Sequence, residues 1–87
     1  MKAQILKMEE RQGVGKTSGK PYNAFFVSIL FQDPSGKLDC DRIFVDKTAC
    51  PSVLPDDTMV DVVTAFRSTR VERLDILPHE QPFVLRG

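Results

Sequence analysis

The sequence contains no tryptophan, one tyrosine, one histidine and two cysteines, and each scarcity removes a class of chemistry. Cys40 and Cys50 have neither a CxxC spacing nor a secretory context, which argues for two reduced thiols and against a disulfide framework or zinc knuckle. His79 stands beside Pro78 beyond the last strand-like segment, so no convergent set of His, Cys and carboxylate residues suggests catalysis or a metal site. The expectation is a non-enzymatic protein with no cofactor, no metal and no small-molecule substrate. Long hydrophobic runs are missing too: the longest, 24–31, is interrupted by Ser28 and too short to cross a bilayer, so no membrane partner is expected. Met1-Lys2 leads into a strand-like pattern carrying Lys7, Glu9 and Glu10 and not into a signal peptide, which predicts a cytoplasmic location. Gly15-Lys16-Thr17 suggests a phosphate loop, but the glycine required five places earlier is Glu10. For Gly19-Lys20 that place is Val14, and the hydroxyl position is Pro21.

Net charge is the remaining absence, with 12 basic and 12 acidic residues. A nucleic-acid binder usually carries a basic surface, so the distribution decides. Residues 1–22 hold Lys2, Lys7, Arg11, Lys16 and Lys20 against Glu9 and Glu10. Residues 23–66 reverse this with seven aspartates against Lys37, Arg42 and Lys47, and residues 67–87 return to four arginines against three acids. Such a chain can segregate a basic face from an acidic one; the plainer alternative is charge solvated all round.

With 87 residues there is room for one domain of about five strands. Residues 2–10 place Ala3, Ile5 and Met8 toward a core. The acid-free, glycine-rich run 11–21 then reads as a basic hairpin wing with a disordered tip. In 22–32 the period of two is clearest: Phe25, Val27, Ile29 and Phe31 form a core face, and Tyr22, Ala24, Phe26, Ser28 and Leu30 form a partly wet face suited to binding. Asp33-Pro34-Ser35-Gly36 is a turn by its own chemistry. A third strand over 37–46 offers Leu38, Cys40, Ile43 and Val45 as core candidates, their change of parity predicting a bulge, with Arg42 and Phe44 on the opposite face. An irregular connection over 47–57, with room for one short helical turn, leads to strands over 58–66 and 70–77. Residues 1–78 are thus expected to form an all-β, five-stranded Greek-key barrel of OB type with a protruding wing, followed by a tail, 79–87.

The residues also look like a family. Arg11-Gln12-Gly13-Val14 with Lys16, then Gly19-Lys20-Pro21-Tyr22, then Arg73-Leu74 followed by Leu77-Pro78, together with the chain length, resemble the gene V type of single-stranded DNA-binding protein of filamentous bacteriophages. The resemblance implies phosphate contacts from Arg11, Lys16, Lys20, Arg42 and Arg73, a stacking role for Tyr22 at the wing base, and a contact from the partner subunit through Phe66. It also implies a homodimer that coats single-stranded DNA cooperatively and without sequence preference, in phage genome replication and packaging in the host bacterial cytoplasm. Where that family has further tyrosines, this chain has Leu30 and the Ser35-Gly36-Lys37 turn. DNA-binding candidates are therefore Arg11, Lys16, Lys20, Tyr22, Phe26, Arg42, Phe66 and Arg73, with RNA left open as a ligand. The alternatives are a plasmid or primosomal OB-fold single-strand-binding module, and a protein-interaction domain using the Phe26/Phe44 face and the tail.

Overall fold

A computed structural model of the chain describes residues 1–17, 19–50, 52–68 and 70–85. It contains β1 (Lys2–Val14), β2 (Pro21–Gln32), β3 (Leu38–Asp46), β4 (Met59–Thr64) and β5 (Val71–Ile76), joined in one antiparallel sheet of order β3-β2-β1-β4-β5. Three of the pairings are hairpins between sequence neighbours. The fourth is made when β4 returns to the free edge of β1 through Lys2↔Asp61, Ala3↔Val60 and Gln4↔Met59. The edge strands β3 and β5 curl toward each other, Cα atoms coming within 8 Å, but no ladder joins them among the described residues. The five strands expected from the sequence are present, and the sheet is curled and open where a closed barrel was expected.

Alternation in β2 explains why the sheet has a dry side. Phe25, Val27 and Ile29 are 1% exposed or less, and they pack with Ala3, Ile5, Met8, Val45, Val60, Val62 and Val71. Full burial of each large apolar side chain contributes about 1.5–3 kcal/mol. Met8 joins this set only because β1 carries a bulge: pairing passes from Ile5↔Ile29 to Lys7↔Ser28, leaving Leu6 as the extra residue and reversing the parity beyond it. A second bulge lies between β4 and β5, where Val63↔Arg73 is followed by Thr64↔Val71. It turns both Val71 and Leu74 toward the core, which strict alternation along 70–77 does not predict.

The third strand corrects the sequence reading. The β2–β3 register runs unbroken from Gln32↔Leu38 to Ala24↔Asp46, so the bulge expected between Cys40 and Ile43 is absent. Leu38 and Cys40 consequently lie on the outer face with Arg42 and Phe44, both exposed, while Ile43 and Val45 face the core. Outer-face apolar residues at a sheet edge imitate a core pattern when read from sequence alone.

Connections close by local hydrogen bonds. The Asp33 carboxylate accepts from Ser35 N, Ser35 Oγ and Lys37 N at 2.9, 2.6 and 3.0 Å, and Gly36 adopts φ 88°. Residues 47–49 form a single turn in which Ala49 N and Cys50 N donate to Asp46 O, and no helix forms among the described residues. Ala49 and Leu54 then cover one side of the core.

The tail folds back on the domain. Gln4, 0% exposed on the outer face, donates from Nε2 to Asp57 Oδ1 and Val84 O, each at 2.8 Å, and accepts from Val84 N at 3.0 Å. Lys2 adds an ion pair to Glu80 at 3.2 Å and lies 5.6 Å from the Phe83 ring centre. In register, Gln4 lies between Leu30 and Met59, which are 9% and 3% exposed yet stand apart from the main core. Tail residues 86 and 87 lie outside the described residues.

Candidate nucleic-acid interface

The outer face of β1, β2 and β3 is built by the residues that alternation turns away from the core. Opposed pairs Gly13↔Tyr22, Arg11↔Ala24, Glu9↔Phe26 and Lys7↔Ser28 line it on one side, and Phe26↔Phe44 and Ser28↔Arg42 on the other. Three aromatic rings form a row across it. Tyr22 and Phe44 have centroids 6.2 Å apart, and Phe44 and Phe26 meet edge to face at 5.5 Å. Tyr22 and Phe44 are 38% and 48% exposed, and Phe26 is half-buried. Edge-to-face packing holds the rings without hiding all their surface.

Tyr22 is positioned by its neighbours on the wing. Pro21 starts β2, the one place in a strand where the missing N–H is easily tolerated. Across the ladder Gly13 leaves the space the phenol occupies. A Cβ at position 13 would lie 2.8 Å from Tyr22 Oη and 3.0 Å from two of its ring carbons. The ring therefore lies against the backbone of β1, one face packed. A shallow concavity of about 570 Å³ adjoins it, lined by Gln12, Gly13, Val14, Pro21 and Asn23. At the other end of the row, Phe44 borders a cleft of about 520 Å³ between β3 and β5, whose walls include Asp46, Thr48, Arg70 and Glu72.

Cations flank the row. Arg42 Cζ lies 4.6 Å from the Phe26 centroid and Arg11 Cζ 5.9 Å from it, within the range of cation–π attraction. Two acids share this surface, Glu9 among the cations and Asp46, opposite Ala24, at the end of β3. Glu9 pairs with Lys7 at 2.9 Å, Arg11 at 3.3 Å and, at the limit of an ion pair, Arg42 at 4.0 Å. Its carboxyl is held below the usual range, first by the hydrogen bond from Lys7 and then by the charges of Lys7 and Arg11. The next residue, Glu10, falls on the opposite parity and pairs with Lys47 at 2.6 Å.

The wing extends the β1–β2 ladder as far as Val14↔Pro21. Either side of residue 18, which lies outside the described residues together with that part of the tip expected to be disordered, two hydrogen bonds close the wing: Gly15 N donates to Lys20 O at 2.9 Å and Gly19 N to Gly15 O at 2.8 Å, with Gly19 at φ 65°. Lys16 and Lys20 are exposed there, just beyond Tyr22. Arg11, Tyr22, Phe26 and Arg42 are thus brought together and the wing lysines adjoin them. Phe66 and Arg73 stand elsewhere. Phe66 is 90% exposed in the β4–β5 turn beneath Arg67, and Arg73 on β5 donates from Nε to both Asp75 carboxylate oxygens at 3.1 Å. In sheet order β1 and β4 separate them from β2.

Four residues of this surface were not among the DNA-binding candidates. Phe44 joins the ring row, Gly13 seats Tyr22, and Lys7 and Glu9 add charge. Phe44 was legible, two places from Arg42 on one strand face. Lys7 was not, because its facing depends on the bulge at Leu6. No group of His, Cys, Asp and Glu residues placed to hold a metal occurs among the described residues, and burial pushes the Cys50 thiol up from its ordinary pKa. No protein-family model, curated protein or solved structure matches the chain.

Proposed function

We propose that this protein binds single-stranded nucleic acid, DNA in the first instance, without reading its sequence. The observation that carries this reading is the row Tyr22, Phe44, Phe26 with Arg11 and Arg42 against Phe26, on the outer face of an open, curled β-sheet. Every base has a π-face, so stacking on such rings is tolerant of sequence and contributes about 1–3 kcal/mol per base. Arginine and lysine beside the rings neutralise phosphates and release counterions, giving an affinity that falls as salt rises. The wing lysines lengthen the phosphate track beyond Tyr22. On this reading the fold is an OB-type platform, and the resemblance to gene V type proteins supports a homodimer that coats single strands cooperatively in a phage-infected cytoplasm, with Phe66 reaching DNA held by the partner.

The test is a titration of fluorescent oligo-dT and of the matching duplex at 50 and 200 mM salt. Preference for the single strand, with affinity falling several-fold between the two salts, is the expected result. An affinity indifferent to salt would favour an apolar protein-binding face instead, and equal binding of duplex would remove the stacking mechanism.

A further inference from the structure

Lys7, Arg11 and Arg42 come from two strands with β2 between them, and their charged ends converge on one carboxylate, that of Glu9. Three cations around one anion leave an excess of positive charge beside the Phe26 ring. A phosphodiester is an anion of one charge with oxygen acceptors, as a carboxylate is, and guanidinium groups bind both in the same fork geometry. We propose that Lys7, Arg11 and Arg42 form one phosphate subsite beside Phe26, and that Glu9 is its built-in occupant, which a nucleic-acid phosphate must displace. This rests on the reading of the outer face as a single-strand surface and adds to it a residue that opposes binding.

Several features favour displacement. Glu9 lies on an exposed strand face, where ion pairs are weak and readily exchanged. Arg42 stacks over the Phe26 ring at 4.6 Å and reaches Glu9 only at 4.0 Å, the limit of an ion pair, so its guanidinium is available to an incoming oxygen. In the empty protein Glu9 keeps the cations gathered. When a strand is bound it remains beside the phosphate and subtracts from its attraction. The protein therefore holds its single strands more loosely than its cations alone allow, which suits a coat that must later be removed.

The probe is the full chain with Glu9→Gln, titrated with oligo-dT across a range of salt. One additional effective positive charge steepens the dependence of log affinity on log salt by about 0.7 for a single strand, so the advantage of the variant over wild type should shrink about two- to threefold between 50 and 200 mM salt. Tighter binding at low salt with that steeper slope is the expected result. Glu10→Gln makes the same change of formal charge on the opposite parity of β1 and should leave binding nearly unchanged; an equal gain there would show a general charge effect and overturn the proposal. Lys7→Ala should weaken binding and flatten the slope. A Glu9→Gln protein that binds as wild type, or more weakly, overturns the proposal while leaving the single-strand reading intact. If oligo-dT binds neither protein, that reading fails by itself, and a titration with inorganic pyrophosphate still decides the subsite. Tighter pyrophosphate binding by Glu9→Gln than by wild type or Glu10→Gln supports it, and equal binding overturns it.

Discussion

The two sides of the β1–β2–β3 sheet are made by alternate residues of the same strands, yet they use aromatic rings in opposite ways. On the inner side Phe25 is 1% exposed and packs among aliphatic residues. One position later Phe26 is half-buried, touches another ring edge to face and lies under two guanidinium groups. The same side chain thus supports folding in one case and leaves surface for a ligand in the other, and the choice is made by strand parity. Mutations in adjacent positions should therefore separate stability from binding.

Phe25→Ala against Phe26→Ala is the sharpest form of that comparison and the largest expected effect. The first should cost about 3–5 kcal/mol of stability, as truncation of a buried aromatic does. The second should leave a folded protein and remove about 1–3 kcal/mol of single-strand binding. Denaturant melts and binding isotherms on both proteins read the two outcomes, and similar stability losses would erase the distinction between the faces.

Tyr22 tests whether the outer row is one unit. Tyr22→Phe keeps the π-face and should bind nearly as well, whereas Tyr22→Ala should lose about 1–3 kcal/mol of binding with little change in melting. Gly13→Ala attacks the same ring from behind: the added methyl lies 2.8 Å from the phenol oxygen, so the ring must shift. Binding should then weaken with Tyr22 still present. Unaltered affinity in Gly13→Ala would mean that the ring's seat on β1 is irrelevant to the ligand.

Replacing Lys16 and Lys20 together by alanine compares the wing with the sheet. Both are exposed at the tip, so melting should be unchanged. The slope of log affinity against log salt should become shallower by about 1.4, two phosphates at about 0.7 each. An unchanged slope would confine recognition to the sheet.

The smallest effect expected concerns acid. Glu9 and Glu10 are held below the usual carboxylate range chiefly by hydrogen bonds from Lys7 and Lys47, Asp33 by the Ser35 hydroxyl, and Asp46 by Thr48 N. Because these groups bind protons less readily folded than unfolded, their contribution is fully present above the ordinary carboxylate range and is lost as pH falls through it toward the folded values. High salt should abolish the Glu9 and Glu10 part, which is ionic, and spare the Asp33 and Asp46 part, which is local to turns. Melting temperature against pH at low and high salt measures both.

Parity also governs how much could be read from the sequence. In β2 the two faces were legible because Phe25, Val27, Ile29 and Phe31 alternate with a mixed set and no bulge intervenes. In β3 the same method failed, since Leu38 and Cys40 are apolar residues on the outer face and imitate a core set. The bulge at Leu6 left no trace because Ile5, Leu6 and Met8 are all apolar and fit more than one register. The gathering of Arg11, Tyr22, Phe26 and Arg42 on one face was expected because each follows from local pattern or from the family resemblance. The place of Glu9 among them was not, because it depends on Arg42 arriving across β2 from 33 positions later.

The Gln4 clasp has a bearing on the order in which the molecule is completed. Its hydrogen bonds to Val84 span 80 positions, and closure over so long a loop comes late on entropic grounds. During synthesis the first strand emerges with a polar side chain whose final partners have not yet been made. Without residue 84 the Gln4 amide keeps Asp57 alone and turns otherwise to water, and the Leu30, Gln4, Met59 row lies open on the sheet. The tail at Val84 is thus a seal on the first strand, and a released chain cut a few residues short of it would hold a folded sheet with that row still bare.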